Sequence, residues 1–239
     1  MTPPPDRSAR LHRWLRHAPA VLLAIDGLLV LAHVLWGARW DLLDAHADVS
    51  VPGWYIGAKL LLMGVLAWWF GLGARGPRRR ERSVLWLAAA LGFVALSLEK
   101  TLQLHQRLAR AVMQTDLGAA IRQGVLGGDA MKDAYGWVIL LLPVMLAMLY
   151  FLVVFFREEF RHDRRTLWWW FGGLALALCH PLLETDIYWL PPVEDWTARV
   201  LHLYAAVSLV RRAAELTALS CLLIALLRHL RCSLERPRH

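Results

Sequence analysis

The chain has 239 residues, of which 58% are hydrophobic and 19% charged, with 13 Trp and a formal net charge of +8. Apolar residues in runs near the length a bilayer requires exclude an ordinary soluble domain and point to a membrane protein. The positive balance does not mark a nucleic-acid binder, because the arginines are spread over separate segments flanking the apolar runs.

Six spans are predicted, at about 19–37, 54–74, 83–104, 135–156, 166–183 and 197–228. They describe an all-α polytopic transmembrane helical bundle forming a single integral membrane domain over residues 1–239. The N-terminal arm carries Arg7, Arg10, Arg13 and Arg16 and runs into the first span without a small-residue cleavage site, so that span is read as retained. Further arginines crowd the segments 75–82 and 157–165 and the tail (Arg228, Arg231, Arg236, Arg238). The opposite loops hold Arg39, Arg107, Arg110, Arg122 and Lys132. Cytoplasmic segments retain positive charge, so both termini are expected in the cytoplasm of a cell with the chain in its inner membrane. The Arg clusters are expected to meet anionic lipid headgroups.

In the first span, Asp26 and His33 are two helical turns apart and share a face, with Asp26 near mid-membrane. Lys59, just inside the second span, reads as a snorkelling lysine. The third span ends in Ser97, Glu99, Lys100, Gln103, His105 and Gln106, and Glu99, Gln103 and Gln106 fall on one face. The connection 110–134 follows, glycine-bearing and of mixed polarity, as an interfacial helix or a lid. In the fifth span, His180 and Glu184 share a face beside Pro181, which is expected to kink the helix and free a carbonyl. An aromatic, proline-bearing loop at 186–195 precedes the sixth span. That span begins near His202, carries Arg211, Arg212 and Glu215 toward its middle, and is too long to be only a span, so its basic end should emerge into solvent.

At 1.5 Å rise per residue, Glu99, His105, His180, Glu184 and His202 lie in the outer third of the membrane, with Asp26, Arg211, Arg212 and Glu215 deeper. Charge in hydrocarbon is costly and persists where it is paired or functional. One reading is therefore an outward-facing polar cavity binding a small ligand or ion through Glu99, His105, His180, Glu184, His202, Arg211 and Glu215. The structural alternative has Arg211 or Arg212 neutralising Asp26, Glu99 and Glu215, with Arg211 and Glu215 also spaced as an intrahelical pair.

A second class of reading is a membrane-embedded hydrolase of a lipid-like substrate, with zinc held by His105, His180 and His202 and Glu99 or Glu184 beside it. The ligand types suit zinc, but no HxxxH or HExxH pair pre-builds the site. A b-type haem between His180 and His202, or His33 with either, has only the histidines in its favour, and Ser97 or Ser208 as nucleophile lacks a sharp-turn motif. Cys179, Cys221 and Cys232 show no paired spacing and suggest neither disulfides nor a CxxC site. A third class is an accessory or assembly subunit packing Trp and small-residue faces against a membrane partner or a second copy, with its charges paired internally. A transporter is disfavoured, because no inverted repeat or pair of broken helices is evident.

The string Leu96-Ser97-Leu98-Glu99-Lys100-Thr101-Leu102-Gln103-Leu104-His105-Gln106 resembles the LSLDE…IHE segment of a functionally obscure group of bacterial multi-span membrane proteins. A tryptophan-led span, here from Gly136-Trp137-Val138, and a final-span EE…E pattern, here Arg211-Arg212-Ala213-Ala214-Glu215, extend the resemblance over the second half of the chain. The resemblance implies that Glu99 stands for the motif's Asp, His105 for its His and Glu215 for its last Glu. Lys100, Gln106, Arg211 and Arg212 replace acids of that pattern, exchanging much of any cation-binding charge for positive charge. The alkaline ceramidase and adiponectin-receptor superfamily is similar in its Ser, acid and His residues. Its seven spans and late HxxxH pair have no counterpart here.

Overall fold

A computed structural model describes residues 7–36, 40, 50–74, 79–102, 115, 132–185 and 198–235, with 7–10, 132–142, 180–185 and 198–205 described as backbone alone. Among the described residues the regular structure is entirely helical. The helices are α1 (Arg7–Trp36), α2 (Val51–Gly73), α3 (Arg79–Leu102), α4 (Lys132–Phe160), α5 (Arg164–Thr185) and α6 (Ala198–Glu235). Among the described residues, four segments are long and apolar enough to cross a membrane: Leu11–Trp36, Val51–Gly73, Arg79–Leu102 and Ala206–Glu235. The spans expected at 135–156 and 166–183 fall within α4 and α5. Most of the connection 110–134 and all of the loop 186–195 lie outside the described residues.

The starts of two helices follow local rules. Ser50 caps α2, its hydroxyl accepting from Gly53 N at 3.2 Å, and Pro52 stands in the first turn, where its missing N–H leaves no bond unmade. Asp163 caps α5, its Oδ1 accepting from the backbone of Arg165 (3.0 Å) and Thr166 (3.2 Å) and its Oδ2 from the Thr166 hydroxyl at 2.5 Å.

The α2–α3 hairpin is closed by small residues in register. Gly57, Gly64 and Gly71 recur every seven residues on α2 and meet Ser97, Ala90 and Ser83, which recur every seven on α3 in the opposite direction. A Cβ on Gly64 would stand 3.2 Å from the Ala90 carbonyl, so the absence of a side chain there sets the spacing of the two backbones. Ser97 Oγ donates to the Gly57 carbonyl at 2.9 Å and Ser83 Oγ to the Gly71 carbonyl at 2.7 Å, stitching both ends. Ser97, considered as a nucleophile from sequence, is thus a buried packing residue whose hydroxyl is already committed.

The middle of the molecule is α6, which packs against α1, α2 and most extensively α5. Leu222 to Leu227 are all buried, so this helix is apolar on every side over that stretch, as a central helix must be. Gly173 of α5 lets the α6 backbone approach: a Cβ there would lie 2.9 Å from the Ala218 carbonyl. At one end of the bundle, aromatic rings from four helices interlock. Trp86 of α3 sits 4.7 Å from Phe70, 5.2 Å from Phe155 and 5.3 Å from Phe156, while Phe156 stacks on Trp170 at 3.8 Å. His229 of α6 enters this cluster against Phe70, Trp86 and Phe160, with its Nε2 3.6 Å from Glu159. Arg82 holds the same Glu159 carboxylate through both Nε and a terminal nitrogen.

Candidate functional site

Two ion-paired centres lie side by side against α6. The inner one joins α1, α2 and α6. Lys59 Nζ stands 2.5 Å from Asp26 Oδ1, donates to the Leu216 carbonyl at 2.9 Å and sits 4.1 Å above the centre of the Tyr55 ring. An ammonium has three protons to place, and here a carboxylate, a carbonyl and an aromatic face meet it. The side chains of Lys59 and Asp26 are only 2% and 4% exposed, so this pair is sealed from solvent.

That arrangement corrects two expectations. Lys59 does not snorkel: its stem carries the charge inward to Asp26. Asp26 is in turn neutralised by Lys59, in place of the Arg211 or Arg212 expected in the structural alternative. Lysine reaches it because Tyr55 and Lys59 lie one turn apart on the face of α2 that looks toward α1 and α6. A lysine alone in an otherwise apolar span was the available signal.

The outer centre joins α3 and α6. Glu215 accepts from Lys100 Nζ at 2.5 Å and from Arg212 at 2.9 Å, the latter one turn away on the same helix. These side chains are 16%, 30% and 18% exposed, well above the inner pair. Glu99 and Arg211 neighbour them in sequence, are both half-buried, and each takes part in polar or electrostatic contacts. The expected neutralisation of Glu215 by an arginine of its own helix is met by Arg212. Because Leu216 follows Glu215, the Lys59–Leu216 bond places the two centres in immediate succession along α6.

The remaining candidates divide by position. His180 and Glu184 belong to the last two turns of α5, and His202 to the first turns of α6. Their backbones lie at the linked ends of those helices, and their side chains lie outside the described residues, as does His105 altogether. His202 precedes Glu215 by about 20 Å of helix. Of the seven residues singled out from sequence, three have described side chains. Glu215 belongs to the outer centre, and Glu99 and Arg211 adjoin its members Lys100 and Arg212 in sequence.

Among the described residues no group of three His, Cys, Asp or Glu side chains converges as a metal site. The proposed zinc set of His105, His180 and His202 lies outside that search. Cys179, Cys221 and Cys232 are free thiols.

A chain whose described residues form only helices, four of them long and apolar enough to cross a membrane, with its sealed charges paired against α6, is a helical membrane protein. It belongs to the family described as a domain of unknown function, DUF8692, whose model matches residues 13–230. No curated protein and no solved structure matches the chain.

Proposed function

We propose that this is a six-span, multi-pass protein of a bacterial inner membrane, with both termini cytoplasmic and a polar site opening to the outer side that binds a small ligand or ion. The observation that carries the reading is the graded exposure of the charges. Lys59 and Asp26 are sealed, whereas Lys100, Arg212 and Glu215, one step outward, stay partly open. Charge left partly open inside a bundle is the pattern of a solvent-reached wall. Glu99 and Arg211 extend that wall, and His105, His180, Glu184 and His202 are assigned to its mouth. The two segments carrying the LSLDE…IHE resemblance face each other here through Lys100 and Glu215. Arg157, Arg161, Arg164 and Arg165 are exposed around the α4–α5 turn, where anionic headgroups are the fitting partners.

The test is thermal unfolding of the protein in lipid nanodiscs with sodium, zinc, phosphate and acetate in turn, for the wild type and for Glu215→Gln. At least one probe is expected to raise the wild-type melting temperature and to lose that effect in the variant. No shift with any probe, or equal shifts in both proteins, contradicts the reading. Elemental analysis with His180→Ala alongside decides the zinc-hydrolase reading, which requires about one metal per chain, lost in the variant.

A second reading, an accessory subunit, draws on a different observation: the charges pair internally, while Trp54, Trp68, Trp69 and Trp168 stand exposed. It requires a complex or homo-oligomer of defined mass in native mass spectrometry, where the first reading is satisfied by a monomer.

A further inference from the structure

Along the first turns of α5 runs a groove of about 430 Å³, lined among the described residues by Arg164, Leu167, Trp168 and Phe171. Its volume falls in the range of about 300–1,000 Å³ usual for small-molecule sites. The spacing of the four residues puts them on one stripe of the helix. Arg164, the first residue of α5, opens the groove, and Phe171 lies about 10 Å further along the axis. Leu167 and Phe171 rest against the apolar core, while Trp168 stands 77% exposed and forms a raised edge. The lining is thus one guanidinium above a hydrocarbon and aromatic surface.

The cationic end has charge to spare. Three acids lie in the segment 157–165, and each is already engaged: Glu158 with Arg161 at 2.6 Å, Glu159 with Arg82, and Asp163 with the backbone of α5 and with Arg228 at 3.6 Å. Among the described residues, the side chains of Arg157, Arg164 and Arg165 meet no carboxylate, and all three are exposed. Of these three, Arg164 is the one that also lines the groove.

We propose that this groove is a binding site for one anionic phospholipid of the adjoining leaflet, its phosphate on Arg164 and the upper part of one acyl chain along Leu167, Trp168 and Phe171. A guanidinium holds a phosphate through two parallel N–H bonds, which gives the site its charge selectivity. An acyl chain leaving the bilayer for the groove gains no hydrophobic energy, so the apolar walls contribute packing and position. The Trp168 indole suits the headgroup level, where its ring is apolar and its N–H is wet. A soluble anion would use Arg164 and leave the groove idle, whereas a neutral hydrocarbon would leave the guanidinium unpaired. The site rests on the reading that sets the α4–α5 turn at the cytoplasmic membrane surface. It goes beyond a diffuse attraction of headgroups to arginines by assigning one position with a stoichiometry.

The test is native mass spectrometry of the full chain released from detergent micelles doped with phosphatidylglycerol or phosphatidylcholine. One phosphatidylglycerol per chain is expected to be held in preference to phosphatidylcholine. Arg164→Gln should weaken that retention about fivefold or more, the effect of one arginine at a membrane surface. Trp168→Ala, which changes no charge, should weaken it several-fold by removing one wall, while Arg13→Gln, an equal loss of charge elsewhere, should change it little. All three positions are exposed, so the fold is retained. Equal losses in Arg164→Gln and Arg13→Gln, no effect of Trp168→Ala, or displacement of the lipid by inorganic phosphate would overturn the site. Impermeant maleimide labelling of Arg161→Cys in sealed vesicles, with the native cysteines replaced, tests the topology separately. Labelling from the cytoplasmic face without selective retention means that the site fails and the topology stands. Labelling from the outer face alone overturns the topology and the site's place in the cytoplasmic leaflet with it.

Discussion

Lys59 Nζ and Asp26 Oδ1 stand 2.5 Å apart although they belong to different helices and are separated by 33 residues of sequence. With the Leu216 carbonyl on the same ammonium, this one group fixes α1 and α2 against α6. α1 has few other anchors, since Leu15, Ala18 and Asp26 are its fully buried positions among those described. Removing one partner leaves the other as an uncompensated buried charge, whereas removing both leaves an apolar contact. Lys59→Met is therefore expected to destabilise by about 3–5 kcal/mol, with the double variant Asp26→Leu/Lys59→Met recovering most of the loss. Thermal unfolding of Lys59→Met, Asp26→Leu and the double variant in one detergent measures this. Additive losses in the double variant would contradict the pairing.

Two adjacent glycines on α5 separate packing from propensity. A Cβ on Gly173 would stand 2.9 Å from the Ala218 backbone carbonyl, which cannot move aside as a side chain can, while a Cβ on Gly172 meets nothing within 4 Å. Gly173→Ala is expected to destabilise by about 1–3 kcal/mol through forced separation of α5 and α6. Gly172→Ala is expected to stabilise by up to about 1 kcal/mol, because alanine is the better helix former. Melting curves of the two single variants compare them directly.

Acid sensitivity should centre on the turn before α5. Burial pushes the Asp163 carboxyl upward, but hydrogen bonds from Thr166 and Arg165 and the nearby Arg228 guanidinium outweigh it and hold the group below its usual value of 3.8. A folded-state value below the unfolded one contributes stability that is full above the unfolded value and lost as pH falls through the folded one. The wild type should thus lose stability below about pH 4 by a component absent from Asp163→Asn. At neutral pH, Asp163→Ala should lower stability by about 0.5–2 kcal/mol through loss of the cap. Unfolding midpoints across pH 3 to 7 for the wild type and Asp163→Asn show whether the acid limbs differ.

The helices were legible because apolar run length and flanking arginines are local properties. Their polar contacts were legible only in part: the spacing marks Arg211 and Glu215 as an intrahelical pair, and the bond to Glu215 from its own helix comes from the next residue, Arg212. Asp26 offered no hint of its partner: several basic residues were available at similar depth, and choosing Lys59 requires knowing that α1 and α2 both pack on α6. The seven-residue recurrence of Gly57, Gly64 and Gly71 opposite Ser83, Ala90 and Ser97 was present in the sequence, but it acquires meaning once α2 and α3 are known to be antiparallel neighbours. Ser97 looked like chemistry for the same reason, a polar atom in an apolar run, and its hydroxyl proves to bind a backbone carbonyl.

The most direct test of the outward-opening site is cysteine accessibility in sealed membrane vesicles of both orientations. With Cys179, Cys221 and Cys232 first replaced by serine or alanine, Glu99→Cys and Glu215→Cys are treated with a membrane-impermeant maleimide, with Met63→Cys at a fully buried position as the sealed control. Labelling of positions 99 and 215 from the outer face alone, with position 63 unreactive, is the predicted result. Labelling of 99 and 215 from the cytoplasmic face, or from neither, would contradict it.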